Sequence, residues 1–204
     1  MDIQPLSISG AWRITPQQFP DERGVFLEAF QQPAFHEAIG RSLEIAQVNT
    51  SISKVGTIRG IHYADIPPSQ AKYVFCTQGA ILDVVVDIRT DSPTFGQWDA
   101  VVLDDIDRRA VFISEGLGHA FMALDDNSVA TYLCSTTYSP TREHGINPLC
   151  RTIGIEWPTE DRNGNPITQI ISEKDRNAPG LNTSKEQGLL PTLALAEGFV
   201  RGQK

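Results

Sequence analysis

Long apolar runs are missing from this chain of 204 residues; none approaches the roughly 18 residues that a membrane-crossing helix needs. The opening stretch from Met1 to Trp12 also lacks the charged and then apolar order of a secretory signal, so a cytoplasmic location is expected. Cysteine is scarce. Cys76, Cys134 and Cys150 are three in number, widely spaced and without a CxxC pair, which argues against both a disulfide framework and a zinc site and leaves buried free thiols as the expectation. Basic residues are outnumbered, 17 against 25 acidic ones, for a formal charge of -8. That balance disfavours nonspecific binding to nucleic acid or to an anionic membrane, though not a nucleotide held in a local basic pocket. No glycine-rich phosphate loop or dinucleotide fingerprint is present.

What is present reads as short strands separated by turn residues between about Gln47 and Tyr138, the pattern of a mainly β sandwich or barrel. Ile81 to Ile88 is the clearest strand, with Leu82, Val84, Val86 and Ile88 on one face and Asp83 and Asp87 on the other; the apolar face is expected to be the core. Ser92-Pro93-Thr94-Phe95-Gly96 supplies a turn, and Trp98 to Leu103, Ala110 to Ile113, His119 to Leu124 and Val129 to Tyr138 continue the series. This spacing fits a jelly roll or double-stranded barrel with short peripheral helices, and Ser114-Glu115-Gly116-Leu117-Gly118-His119, which resembles a segment of metal-binding cupins, makes a cupin-type double-stranded β-helix the expected form. One helix is expected from Pro33 to about Ile39, with proline in its first turn and Gly40 past its end. At 204 residues a single domain is expected. Its residues 158–204 form a C-terminal extension packed on the barrel, with a short helix near Leu189 to Phe199 that Pro191 must start or break.

The chemistry concentrates in Arg59-Gly60-Ile61-His62-Tyr63, in Lys72 ten residues further on, and in Gly118-His119-Ala120-Phe121 and Tyr132. Metal-binding cupins use a paired HxH and a later PxGxxH segment. Ser114-Glu115-Gly116-Leu117-Gly118-His119 resembles the second, but Ala64 stands where the first needs its second histidine. Too few imidazoles remain for a three-ligand site, and no metal or other cofactor is expected. His62 then stands as a candidate general base, since an imidazole titrates near neutral pH, against the alternative of a structural histidine. Lys72 precedes the apolar Tyr73-Val74-Phe75-Cys76. It is either an exposed lysine at a strand start or, pointing inward, a fixed cation for a developing oxyanion. Tyr132 and Tyr138 share parity, so on one unbroken strand they face the same side, either to fill the barrel or to serve a ligand. Gln47, Asn49, Ser51 and Ser53 form a polar stripe that faces either a ligand or, by default, water. Arg23 sits in a charged hairpin-like segment, and Arg23 and Arg59 could grip a phosphate with their guanidinium forks.

Taken in order, Asp21-Glu22-Arg23-Gly24, Gln47-Val48-Asn49, Arg59-Gly60-Ile61-His62-Tyr63, Ser92-Pro93-Thr94-Phe95-Gly96, Glu115-Gly116-Leu117-Gly118-His119-Ala120-Phe121 and Ser172-Glu173-Lys174-Asp175 resemble the dTDP-4-dehydrorhamnose 3,5-epimerases, from about Trp12 to Leu181. The resemblance implies that His62 is the general base, that Asp175 pairs with it, that Tyr132 is the acid on the opposite sugar face, and that Lys72 stabilises an enolate. It further implies substrate contacts from Arg23, Phe26, Gln47, Asn49, Arg59, His119, Glu143 and Lys174, with Tyr138 stacked on thymine and Glu28 reaching a partner subunit's site in a homodimer. The expected substrate is a dTDP-4-keto-6-deoxy sugar. No nucleic-acid or membrane partner is expected. Arg59 and His62 have opposite parity, so both can face the ligand only if a bulge or twist intervenes. Three other functions stay open at this point: an epimerase acting at C3 or C5 alone, a noncatalytic sugar-nucleotide sensor, and a metal-dependent cupin oxygenase.

Overall fold

The computed structural model describes residues 1–202; positions 203 and 204 of the expected C-terminal extension lie outside the described residues. Strands β1 (Asp2–Pro5) and β2 (Ala11–Thr15) lead into the hairpin β3 (Gln18–Asp21) and β4 (Gly24–Leu27), then helix α1 (Gln32–Ile39). The barrel strands follow as β5 (Gln47–Ser53), β6 (Thr57–Ala64), β7 (Lys72–Gln78), β8 (Ala80–Val86), β9 (Trp98–Asp104), β10 (Ala110–Ile113), β11 (Gly118–Ala123) and β12 (Ser128–Cys134). After them come β13 (Glu143–Gly145), β14 (Ile170–Ile171), α2 (Glu173–Arg176), α3 (Leu181–Glu186) and α4 (Leu193–Arg201). One sheet runs β1-β2-β10-β7-β12-β5, the other β13-β6-β11-β8-β9, with β14 added in parallel to β6.

Val74, Val111, Ile113 and Ala130 from the first sheet meet Ile81, Val85, Leu103 and Phe121 from the second in one buried cluster. The two sheets are therefore packed face to face, as in the expected cupin-type jelly roll. The outer faces are covered as well. On the first sheet α1 lays Phe35 against Phe112 with ring centroids 4.8 Å apart, joined by Ile14, Tyr73 and Leu43. Pro33 in the first turn and Gly40 at φ +79° bound this helix at the expected ends. On the second sheet Val84, Val86, Ala120 and Met122 are buried under Ile146, Trp157, Leu181 and Leu190. Each of those two leucines contributes on the order of 1.5–3 kcal/mol by leaving water.

On β8 the apolar Leu82, Val84 and Val86 face is core as expected, with Val84 and Val86 fully buried, and the layer that covers it is the C-terminal segment on the outside of the barrel. The opposite face, carrying Ile81, Asp83 and Val85, looks into the barrel interior, where Asp83 is 1% exposed. Both faces are buried, so alternation alone could not say which was internal. At the C-terminus the helix opens after Pro191: the Thr192 side chain accepts from the Leu195 N–H at 3.0 Å, and Ala196 packs against Gly116.

Candidate active site

β14 lies parallel to β6 with Ile170 opposite Thr57 and Ile171 opposite Ile58. This pairing carries the next residues to His62. Ser172 caps the one-turn helix α2, its Oγ accepting from the Asp175 N–H at 3.1 Å, and the turn aims the buried Asp175 carboxylate at the imidazole, with Oδ1 2.7 Å from Nε2. Burial alone would raise the Asp175 pKa. Hydrogen bonds from His62, Ser172 and the Gly60 N–H, together with the His62 charge, outweigh it and hold the carboxyl below its ordinary value. An acceptor on Nε2 keeps that nitrogen protonated and leaves the other ring nitrogen as the basic one.

The expected bulge is present. Across β6 and β11, His119 is partnered with His62 but Phe121 with Arg59, so three residue steps on one strand oppose two on the other. Gly60 sits inside this irregularity at φ +120°; a Cβ there would lie 2.6 Å from both the Ala120 Cβ and the His119 carbonyl oxygen. Only glycine fits that approach. The extra residue brings Arg59 and His62 to one side despite their opposite parity, and both line a cleft of about 520 Å³ together with Ser53, Lys174 and Asp175.

Behind the cleft lies a second group of side chains. Along β5 the odd positions Gln47, Asn49, Ser51 and Ser53 are more buried than Val48, Thr50 and Ile52. The polar stripe therefore faces inward and not, as the default had it, water. Each member makes a contact there: Gln47 Oε1 accepts from the Tyr138 N–H at 2.9 Å, Asn49 Nδ2 lies 3.7 Å from Cys134 Sγ, the Tyr132 hydroxyl donates to Ser51 Oγ at 2.7 Å, and Arg59 Nε donates to Ser53 Oγ at 3.2 Å. Burial raises the Tyr132 pKa against the opposing pull of Ser51 and the Arg59 charge. His119 stands edge-on to Tyr132 with centroids 6.4 Å apart, and its Nε2 is 2.7 Å from Asp83 Oδ2.

Lys72 opens β7 opposite Cys134 of β12. It is partly buried, and no hydrogen bond or ion pair to it is formed among the described residues. Burial lowers its pKa, with Cys134, Glu143 and Asp83 acting in the other direction. Glu143 is on β13, partnered with Ala64 of β6. Tyr132, Lys72 and His119 are not lining residues of the His62 cleft. Tyr132 is connected to it by the charge of Arg59, and His119 by its cross-strand pairing with His62.

Four expected site residues are elsewhere. Arg23, Phe26 and Glu28 lie on or just after the β3–β4 hairpin, where Arg23 pairs with Asp21 and its side chain is 85% exposed; a hollow of about 320 Å³ at its tip shares no residue with the His62 cleft. Tyr138 lies beyond the end of β12 and is 53% exposed, so the expectation of one unbroken strand through Tyr132 and Tyr138 does not hold. Asp83, which orients His119, is a site residue that sequence reasoning does not single out, because alternation places it only on the face opposite Leu82, Val84 and Val86. A lone carboxylate in an apolar run was the available signal. Cys76 and Cys134 are buried and Cys150 partly so, all three free. Among the described residues no cluster of three or more His, Cys, Asp or Glu side chains could hold a metal ion, and no helix is long and apolar enough to cross a membrane.

A family model described as dTDP-4-dehydrorhamnose 3,5-epimerase matches residues 5–183. The chain is 52% identical over 200 residues to a dTDP-4-dehydrorhamnose 3,5-epimerase of Mycolicibacterium smegmatis, covering 98% of this chain and 96% of that one. It is 49% identical over 197 residues to a dTDP-4-dehydrorhamnose 3-epimerase of Streptomyces niveus, covering 97% and 92%. A solved epimerase structure from Mycobacterium tuberculosis superposes with a TM-score of 0.94 at 45% identity over the full length of both chains. A histidine–aspartate pair at an open cleft, a partly buried tyrosine and lysine behind it, and matches of this extent lead to one conclusion: the chain belongs to the dTDP-4-dehydrorhamnose 3,5-epimerase family.

Proposed function

We propose that this protein inverts both C3 and C5 of a dTDP-4-keto-6-deoxy sugar, converting dTDP-4-dehydro-6-deoxy-D-glucose to dTDP-4-dehydro-L-rhamnose. A ketone at C4 acidifies the hydrogens on both neighbouring carbons, because the charge left by either proton spreads onto the same oxygen. One oxyanion site therefore serves two inversions. In this reading His62, oriented by Asp175, removes the proton, Lys72 holds the enolate oxygen, and Tyr132 returns a proton from the other face. The observation that carries it is the 2.7 Å contact between His62 and Asp175, formed by residues 113 positions apart at an open cleft. The C-terminal residues belong to the catalytic domain in this view, since they supply Asp175.

Arg59, Lys174, Gln47, Asn49, His119 and Glu143 are assigned to substrate binding. Arg23, Phe26, Glu28 and Tyr138 would complete the site across a homodimer. Their separation from the cleft within one chain supports that arrangement, as does the exposed apolar surface of Phe19, Val25 and Phe26 on the hairpin and Val48 and Ile52 on the edge strand β5. A cytoplasmic location follows from a charged sugar nucleotide that does not cross a bilayer unaided.

The test is incubation with dTDP-4-keto-6-deoxyglucose in heavy water. Deuterium and inversion at both carbons are expected, and His62→Ala should abolish both while leaving dTDP affinity within a few fold. Normal turnover by that variant would remove His62 from the mechanism. The second reading, inversion at one carbon only, is favoured by the near-equal identity to a 3-epimerase; label and inversion at a single carbon would select it.

A further inference from the structure

A double inversion sets a requirement that a single one does not. After the first reprotonation the acid is a phenolate, and it must recover a proton before it can serve the second carbon. Tyr132 is partly buried, so the recovery route has to be built into the site. Among the described residues its hydroxyl has one hydrogen-bond partner, Ser51 Oγ at 2.7 Å. His119 is not a substitute, because its Nε2 is taken by Asp83 and its ring stands edge-on with centroids 6.4 Å away.

The serine hydroxyl is placed to pass a proton. Its Oγ accepts from Tyr132, while its own hydrogen has no acceptor among the described residues. Ser51 is on the inward face of β5 and is only partly buried. The next inward residue, Ser53, bonds Arg59, and both line the open cleft. Ser51 is thus the one hydrogen-bond partner of the phenol among the described residues, and it lies two positions along the inward face of β5 from a residue that lines the cleft.

We infer that Ser51 is the positioning residue through which Tyr132 recovers its proton between the two inversions, an inference that rests on the double-epimerase reading above. In the first half, the Tyr132 O–H bond breaks as the new C–H bond forms on the sugar. In the second, the phenolate takes the Ser51 proton as Ser51 Oγ takes one from water. The proton that His62 removed from the sugar returns to solvent and balances the one withdrawn. Burial, which raises the Tyr132 pKa, supplies the driving force for this recovery.

The experiment follows the singly and doubly inverted products over time in heavy water, for the unaltered protein, Ser51→Ala and Ser51→Thr. Ser51→Ala is expected to lower the ratio of second to first inversion by about tenfold or more, so that singly inverted sugar accumulates. Ser51→Thr keeps a hydroxyl and suits a strand, and its ratio should stay within about threefold of the unaltered protein. Binding of dTDP should be the same in all three within about twofold, as expected of a residue acting through Tyr132. An unchanged ratio in Ser51→Ala, or equal losses in both variants, overturns the inference while leaving the double-epimerase reading intact. Inversion at a single carbon by the unaltered protein overturns both.

Discussion

Replacing Lys72 by methionine should make the protein more stable and far less active, two effects with one cause. The ammonium is partly buried at the start of β7, with no ion pair among the described residues, and burial lowers its pKa. A group whose pKa is lower folded than unfolded contributes stability in full above its unfolded value, here 10.5, and loses that contribution as pH falls through the lowered value. Below the lowered value the protein therefore carries the cost of a charged lysine. Methionine matches the stem and removes the charge, which should stabilise by about 0.5–2 kcal/mol, the usual scale for relieving a strained functional position. At roughly 2–4 °C per kcal/mol for a chain of this size, Tm should rise by about 1–8 °C. In the proposed mechanism the same change removes the cation assigned to the enolate oxygen, at an expected loss of roughly 10²–10³ in kcat. Thermal melts at pH 7 with a coupled turnover assay measure both. The pH dependence supplies a second check, because in the unaltered protein activity should fall with rising pH below 10.5 while stability rises across the same interval. A variant that melts lower, or that turns over within about threefold of the unaltered protein, would refute the placement of Lys72 as an uncompensated cation at the oxyanion.

Gly60→Ala would place a methyl 2.6 Å from the Ala120 Cβ and the His119 carbonyl oxygen at a backbone φ of +120°, and strain plus overpacking should cost about 2–5 kcal/mol. The bulge that aligns Arg59 with His62 would shift with it, so activity should fall further than the melting temperature explains; a variant with unchanged Tm and turnover would contradict the close approach. Glu115→Gln breaks a two-pronged ion pair, 2.6 and 2.8 Å from Arg41, in which the glutamate side chain is fully buried; a loss of about 3–5 kcal/mol at neutral pH is expected. Burial raises the Glu115 pKa, but the Arg41 hydrogen bonds and charge and the Ser114 hydroxyl outweigh it and leave it lowered. Its contribution is thus present above 4.5 and lost as pH falls through the lowered value, so the Tm gap between variant and unaltered protein should close at low pH; a gap that stays constant would show that the pair does not titrate as described.

Much of the architecture was legible along the chain. Alternation located the barrel strands, proline and glycine bounded α1, and the parity conflict between Arg59 and His62 called for a bulge that β6 contains. These features are set by interactions within a few residues: side-chain period, fixed φ at proline, free φ at glycine. The assignment of faces was less legible. On β8 both faces are apolar enough to bury, and the layer that covers the outer one comes from Trp157, Leu181 and Leu190, in a segment without periodicity. The inward turn of the β5 stripe was ambiguous for the same reason, since polar residues line a ligand cavity and a wet surface alike.

By itself the sequence determined the β-rich class, the one early helix, and the residue types able to move a proton, because local sterics and side-chain chemistry decide those. Tertiary structure alone decided which of them meet. His62 finds Asp175 across 113 positions because β14 pairs with β6 and carries α2 to the imidazole, Tyr132 finds Ser51 through the β12–β5 register, and Asp83 reaches His119 from the face of β8 that turns into the barrel. Each contact depends on strand pairing between distant segments, and strand pairing is set by which surfaces can be buried together, a property that no single segment carries.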